Sequence, residues 1–402
     1  NIYTKKKSYH IINKNEEWQN RNISTLEYLM WLNIFSGRSY NDLTQYPVFP
    51  WILINYESDE LSEDNIRNMS LPVGMFEMNE KAEMRKETFI EFYELLKKDL
   101  KEANKDFNYK DFPEKGSEYL EHYKIKKIKK RTKEEKKNPM AEVDTSTIDI
   151  NQIPFYYGSH YSNPTYVSHF LTRLFPFASI SIEIHGDKFD DPNRMFYSMQ
   201  RNFETASTLK DDVRELIPEF YTLPEMFRNI NNLNLAQDKL DTEGQSIIID
   251  DVQLPPWSKN KPINFVVELR KNLEKNQKIN KWVDLIFGYL QIGEKAEENH
   301  NIFMLNTYEY MVKIEDIKDE DERNALMRLY EVGVTPRQVL NSETKARNEI
   351  NQIIQKNPVY SLCKGSFLWE STELRSFNIG SYKYKKILVK LYIKDLIQLV
   401  IN

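Results

Sequence analysis

Apolar residues recur in two ways along this chain. In some stretches they fall three and four apart, the spacing of one helix face; in others they crowd into proline-broken runs that fit neither helix nor strand periodicity. The periodic stretches predict a first helix with Ser24 as N-cap and Glu27 three residues on, running through Leu26, Leu29, Met30 and Leu32 to Phe35. Gly37 supplies its stop. A second helix is predicted from about Lys81 to about Lys105, with Met84, Phe89, Phe92, Leu95 and Leu96 on its apolar side. Helices are also expected to begin near Pro164 and Pro192, capped by Asn163 and Asp191. Another follows Pro262 through Phe265, Val266, Leu269 and Leu273, and the next runs from Ile279 to Phe287, ended by Gly288. Later helices are predicted over Lys295 to Leu305 and Asp319 to Tyr330. Two short stretches read as strands: Ser179 to Ile184 alternates, and Ser246 to Val252 is continuously apolar. Ile387 to Ile401 is apolar with interspersed lysines and fits a helix or strands.

The aperiodic runs are Gly37 to Trp51, Glu215 to Glu225, Asp251 to Trp257 and Trp282 to Tyr289. Each is too apolar to sit in water, and three carry prolines that forbid a continuous helix. A buried stretch without regular structure must find partners for every backbone N–H and C=O, at about 1–3 kcal/mol for each group left unpaired. Arg38, Asn41, Asp42, Gln45 and Asn55 stand among the aromatics where such partners are needed. Arg38, Asn41, Asp42 and Gln45, with Trp51, Glu219, Asp251, Trp257, Trp282 and Asp284, are the structural candidates. The expectation is a mainly α fold whose core holds irregular, hydrogen-bonded segments and a few short strands.

Composition narrows what such a fold does. Charge is balanced at −5 over 402 residues, so no global bias draws the chain to nucleic acid. Cys363 is the only cysteine, which excludes an internal disulfide and a cysteine-based zinc site and suits a cytosolic setting. Residues 1–20 read as a polar tail or linker, and residues 106–150 as an insertion with few large apolar residues. Within the insertion, Lys124 to Lys137 holds nine Lys or Arg against two Glu. Lys124, Lys126, Lys127, Lys129, Lys130 and Arg131 are therefore candidates for contact with anionic lipid. His160, set between aromatics, reads as a hydrogen-bonded core histidine. No phosphate loop, nucleophile elbow or zinc-ligand spacing occurs, so no catalytic residue, metal or cofactor is expected.

The ordered series of the four aperiodic runs resembles the BEACH domain. It is joined by Asn22 to Ser24, Tyr28 to Asn33, Tyr157 to Ser162, Gly186 to Arg194, Asn306 to Glu309 and Thr335-Pro336. The resemblance runs from about Trp18 to about Arg347, and residues 19–347 are assigned to that domain. Departures from the family pattern stand at Asp250, Leu290, Phe203 and Val332 to Val334. The resemblance implies a multihelical domain, without enzymatic activity, in large scaffolds of vesicle trafficking, lysosome-related organelles and autophagy. It also implies a preceding PH-like domain ending at about residue 18, and a WD40 region entered within residues 348–402. Partners would be that PH-like domain, trafficking proteins and an anionic membrane surface; the setting would be cytoplasmic and peripherally membrane-associated. On that basis the chain is read as a piece of a longer protein.

Overall fold

The computed structural model describes residues 2–75, 80–102, 108–113, 127–129, 147–149, 153–209, 212–240, 243–308, 320 and 333–348. Its helices are α1 (Ile2–Gln19), α2 (Thr25–Phe35), α3 (Glu80–Glu102), α4 (Pro164–Leu171), α5 (Phe177–Ile184), α6 (Met199–Thr208), α7 (Pro262–Lys275), α8 (Ile279–Ile286) and α9 (Gly293–Glu298). One antiparallel pair, β1 (Lys127–Lys129) with β2 (Thr147–Asp149), registers Ile128 against Ile148. The fold is mainly α, with short 3-10 turns at Pro218–Tyr221, Pro224–Phe227 and Pro256–Ser258 packed around α7.

Helix starts follow their caps. Ser24 Oγ accepts from Glu27 N–H at 3.1 Å, and Glu274 adds a carboxylate that accepts from Thr25 and Leu26 N–H at 2.8 and 3.2 Å. Asn163 caps α4 through Tyr166 N–H, with Pro164 in the first turn. At the other end of α2, Gly37 takes φ +92° and Arg38 N–H reaches back to Asn33 O at 2.9 Å. After α8, a side chain on Gly288 would meet the Asp284 backbone at 2.6 Å, so only glycine permits the turn there.

Several expectations need correction. The N-terminal stretch expected as a tail is helix α1, which packs on α2. Ile11 and Trp18, seven residues apart on one helix face, are buried, and Trp18 stacks on Tyr28 at 4.5 Å. The alternating Ser179 to Ile184 is helical, not a strand. Packing against α4 decides it: Ala178 and Ser181 turn inward at helical spacing while Ile184 is exposed. Pro192 opens only a 3-10 turn, Pro192–Arg194, and the helix waits for the Ser198 cap of α6. The helix expected to reach Leu305 stops at Glu298. Ser246 to Val252 forms no strand: among the described residues its one bridge joins Leu240 to Ser246, and Asp251 bends the backbone. Asp319 to Tyr330, except for Glu320, and Ile387 to Ile401 lie outside the described residues.

The irregular runs lie deep in the molecule. Val48, Phe49, Trp51 and Leu216 are fully buried, and Phe49 and Leu216 exchange both backbone hydrogen bonds at 2.8 Å. Elsewhere side chains replace the missing ladders. Asn33, fully buried on α2, accepts from Val48 N–H at 2.8 Å and donates to Val48 O at 3.0 Å, as a neighbouring strand would. Tyr221 donates to Pro50 O at 2.6 Å, and Arg38 donates to Tyr46 O at 2.7 Å. Asn301, also fully buried, donates to Leu285 O and Leu290 O and accepts from Tyr161.

At the centre sits the ion pair Arg67–Glu215, 2.8 Å apart with both side chains fully enclosed. Glu215 also accepts from Trp51 N–H at 2.9 Å and from Trp282 Nε1 at 3.0 Å. Arg67→Met would leave a buried carboxylate without its counter-charge. It is expected to cost about 3–5 kcal/mol in denaturant unfolding. Asn33→Leu orphans both Val48 groups at about 1–3 kcal/mol each, whereas Asn41→Ala, on the surface, stays within about 0.5 kcal/mol. Equal midpoints for Asn33→Leu and Asn41→Ala in the same titration would contradict this ordering.

Candidate functional site

The structural candidates separate into interior clamps and surface turns. Arg38, Trp51, Trp282 and Asp284 are buried. Trp51 donates from Nε1 to Arg214 O at 2.8 Å, and Asp284 accepts from Thr344 N–H at 3.0 Å. Glu219 accepts from the Tyr46 hydroxyl at 2.6 Å. Asp42 closes a local turn, accepting from Thr44 N–H at 2.9 Å and Gln45 N–H at 3.3 Å. Gln45 contributes its backbone, whose carbonyl accepts from Ser39 N–H. Trp257 is half-buried and stacks on Phe265 at 5.4 Å.

Two candidates, Asn41 and Asp251, and the neighbouring Asn55 lie elsewhere than expected. Asn41 is exposed, and the clamp expected of it belongs to Asn33. Asn55 is exposed and only braces its own turn, accepting from Glu57 and Ser58 N–H. Asp251 is also exposed, accepting from Asn229 N–H at 2.7 Å and facing Arg228 at 3.4 Å. Of the basic candidates, Lys127 and Lys129 fall on β1; Lys124, Lys126, Lys130 and Arg131 lie outside the described residues.

Residues not singled out carry more of the architecture. Glu215 opens the run from Glu215 to Glu225, and nothing local marks it above Glu219 or Glu225. Arg347 donates to Trp18 O, Ile23 O and Glu274, tying the chain after α8 to the start of α2. The family departures at Leu290 and Val334 are both buried, so neither alters an exposed surface.

The interior ionisable groups are held in fixed roles. His160 is fully enclosed, stacked on Phe303 at 4.0 Å, and its Nε2 lies 2.9 Å from Thr307 Oγ1 and 3.1 Å from Thr335 Oγ1. Burial, assisted by Arg38, holds its pKa well below the usual imidazole range, so the ring is neutral. Gly333 must remain glycine beside it: a Cβ would meet His160 Cβ at 2.5 Å and Ser162 O at 2.6 Å. A cleft of about 300 Å³ is lined by His169, His185, Asp190, Arg194, Arg201 and Arg214 among others. Its charged groups are already engaged: Arg194 with Asp190, Arg214 with Asp212, and His185 3.5 Å from Asp190. Asn202 Nδ2 lies 3.3 Å from His169 Nε2, and burial holds His169 neutral as well. Among the described residues no group of His, Cys, Asp and Glu is placed to hold a metal ion, and no helix is long and apolar enough to cross a membrane.

Comparison with known proteins settles the class. Residues 16–114 and 99–347 match the family model described as the Beige/BEACH domain. The chain belongs to the BEACH family. It is 34% identical over 342 residues to neurobeachin homologues of Caenorhabditis briggsae and Caenorhabditis elegans, covering 83% of this chain and 11% of each relative. It is 34% identical over 332 residues to Beige protein homolog 1 of Saccharomyces cerevisiae, covering 81% of this chain and 13% of that relative. The BEACH chain thus spans a small part of the length of these relatives.

Two carboxylates of the BEACH core give it a pH signature. Burial raises Glu219 to about 7, opposed by the Tyr46 hydrogen bond, and raises Asp284 to about 6. A carboxyl whose folded pKa lies above its unfolded value favours the folded state while protonated. Stability from Glu219 is therefore full below about 4.5 and is lost as pH rises through about 7. Glu219→Gln keeps the acceptor for Tyr46 and removes the ionisation. Unfolding free energies measured from acid to neutral pH should fall less steeply for the variant than for the parent. Parallel curves would exclude Glu219 as the source.

Proposed function

We propose that this BEACH domain is a non-enzymatic scaffold module of vesicle trafficking, with roles in lysosome-related organelle or autophagy pathways. It works beside a PH-like domain of the same polypeptide and binds trafficking proteins in the cytoplasm. Membership of the BEACH family carries the proposal: the chain matches one segment of far longer relatives named for neurobeachin and Beige. Its chemistry agrees. Glu215, Asp284 and His160, all fully buried, serve backbone clamps and ring stacks, and none of the three is paired as a nucleophile and its base among the described residues. What a partner can reach is the outer surface.

Helix α1 supplies a mechanical reason for coupling to a preceding PH-like domain. Trp18 packs fully into the core and donates from Nε1 to Thr25 Oγ1 at 3.2 Å, so α1 is anchored at its C-terminal end. A domain attached ahead of α1 would be held close to the BEACH surface, raising its effective concentration there. Purified BEACH chain and PH-like region from the same polypeptide should associate in a pull-down at micromolar concentration. No association would remove the coupling.

A second reading is favoured by the nine basic residues between Lys124 and Lys137, which would attract an anionic membrane surface at about 1 kcal/mol per charge. Under that reading the parent floats with anionic liposomes, and a variant with these lysines changed to Glu does not. Equal flotation of the two leaves only the scaffold role.

A further inference from the structure

Residues of α4, α5 and α6 wall the cleft of about 300 Å³, and a chain of hydrogen bonds sets the orientation of its polar groups. A guanidinium only donates, so Arg214 Nη1, 3.4 Å from Asn202 Oδ1, turns the amide nitrogen of Asn202 toward His169. Asn202 Nδ2 then donates to His169 Nε2 at 3.3 Å, which leaves the proton of the neutral ring on Nδ1. Among the described residues nothing accepts from that Nδ1. Three residues on, where side chains of a helix are neighbours, the fully buried Thr172 hydroxyl also has no hydrogen-bond partner. His169 and Thr172 both line the cleft, so its wall holds two neutral donors without acceptors. Burial lowers the His169 pKa well below the imidazole range, and the charges of Arg214 and Arg173 push it the same way. The surroundings of the two donors are therefore electropositive.

The charged groups of the wall differ in how firmly they are held. Asp190 is taken by Arg194 and by the Asp191 N–H at 2.7 Å. Arg201 meets Glu204 only at 3.9 Å, with its side chain 61% exposed, and a surface pair of that kind contributes little. Apolar wall is supplied by the buried Met195 and by Leu209, which is left 49% exposed. Two neutral donors, one loosely held guanidinium and an apolar wall fit a ligand with one negative charge and an apolar stem. A phosphate dianion would bring a second charge for which no further loose cation stands on the wall, with the carboxylates of Asp190 and Asp191 nearby. We infer that the cleft binds a monocarboxylate. Its oxygens accept from Thr172 O–H and His169 N–H, Arg201 turns in as counter-charge, and the stem lies against Met195 and Leu209. The site requires no PH-like domain and is independent of the scaffold role.

The test titrates the full chain, methyl-labelled at Met and Leu, with 3-phenylpropionate and with the uncharged 3-phenylpropionamide. Saturable binding of the acid is expected, with the Met195 and Leu209 methyl resonances shifting together and the amide binding about tenfold more weakly or worse. Thr172→Val and Arg201→Gln should each weaken the acid about tenfold, the loss of one hydrogen bond to a charged group. Thr172→Val removes a hydroxyl that has no partner in the protein, so its unfolding midpoint should equal or exceed the parent's. That second measurement separates a lost ligand contact from a fold defect. A peptide ending in Phe with a free carboxylate, compared with the small acid, identifies the source. Tighter binding of the peptide makes it the end of a partner chain, tighter binding of the small acid makes it a free metabolite, and both support the site. No saturable binding at millimolar acid, equal affinity for acid and amide, or unchanged affinity in both variants overturns the inference.

Discussion

A single buried carboxylate, Glu215, fixes how the irregular parts of this domain meet. Its two oxygens take the Arg67 guanidinium, the Trp51 amide and the Trp282 indole N–H, so two of the three proline-broken runs, the loop before α3 and helix α8 share one point. Buried ion pairs are poor sources of net stability, because desolvation offsets the attraction between the charges. They are effective at excluding alternatives, since any arrangement that separates the partners strands a charge in apolar surroundings. That property suits segments with no ladder to set their register. A strand slipped by one residue still pairs its backbone; Trp51 shifted by one residue loses both Glu215 and the Arg214 carbonyl.

The same logic extends outward through Asn33, Tyr221, Asn301 and Arg347, each a side chain doing what a neighbouring strand does elsewhere. Their hydrogen bonds commit these interior side chains to holding backbone. A neutral His160 stacked on Phe303, and carboxyls raised by burial at Glu219 and Asp284, are consequences of the packing. Groups perturbed in this way often mark catalytic clefts. Here the perturbed groups face backbone and aromatic rings, and the reading as structural elements follows from those partners.

Sequence pattern revealed the parts whose physics is local. Caps at Ser24 and Asn163 predicted helix starts because an N-cap acts within three residues. Prolines and aromatics marked the irregular core because steric limits on the backbone are local as well. The expectation failed wherever a distant contact decided. Ser179 to Ile184 alternates like a strand, and packing on α4 makes it helical. Asn41 and Asn33 are the same residue type eight positions apart, and only the fold shows which one faces Val48. Glu215 could not be singled out because its partners lie 148 and 67 residues away along the chain. Arg347, separated from Ile23 by 324 residues, is a stronger case of the same limit.

Two kinds of irregular backbone occur in this molecule, and burial separates them. Tyr46 to Trp51 is enclosed, and its groups are matched by side chains placed for them, so a partner finds no opening there. Ser246 to Asp251 lies outside the main core, where Ile249 packs on a small satellite cluster and Ile248 is 85% exposed. Arg173 takes the Asp250 carbonyl there at 2.8 Å, and the Phe227 carbonyl takes the Val252 N–H. A segment on which few core contacts depend opens at low cost. The polar core therefore holds the domain in a single arrangement, and the satellite segment is the part whose local opening disturbs it least.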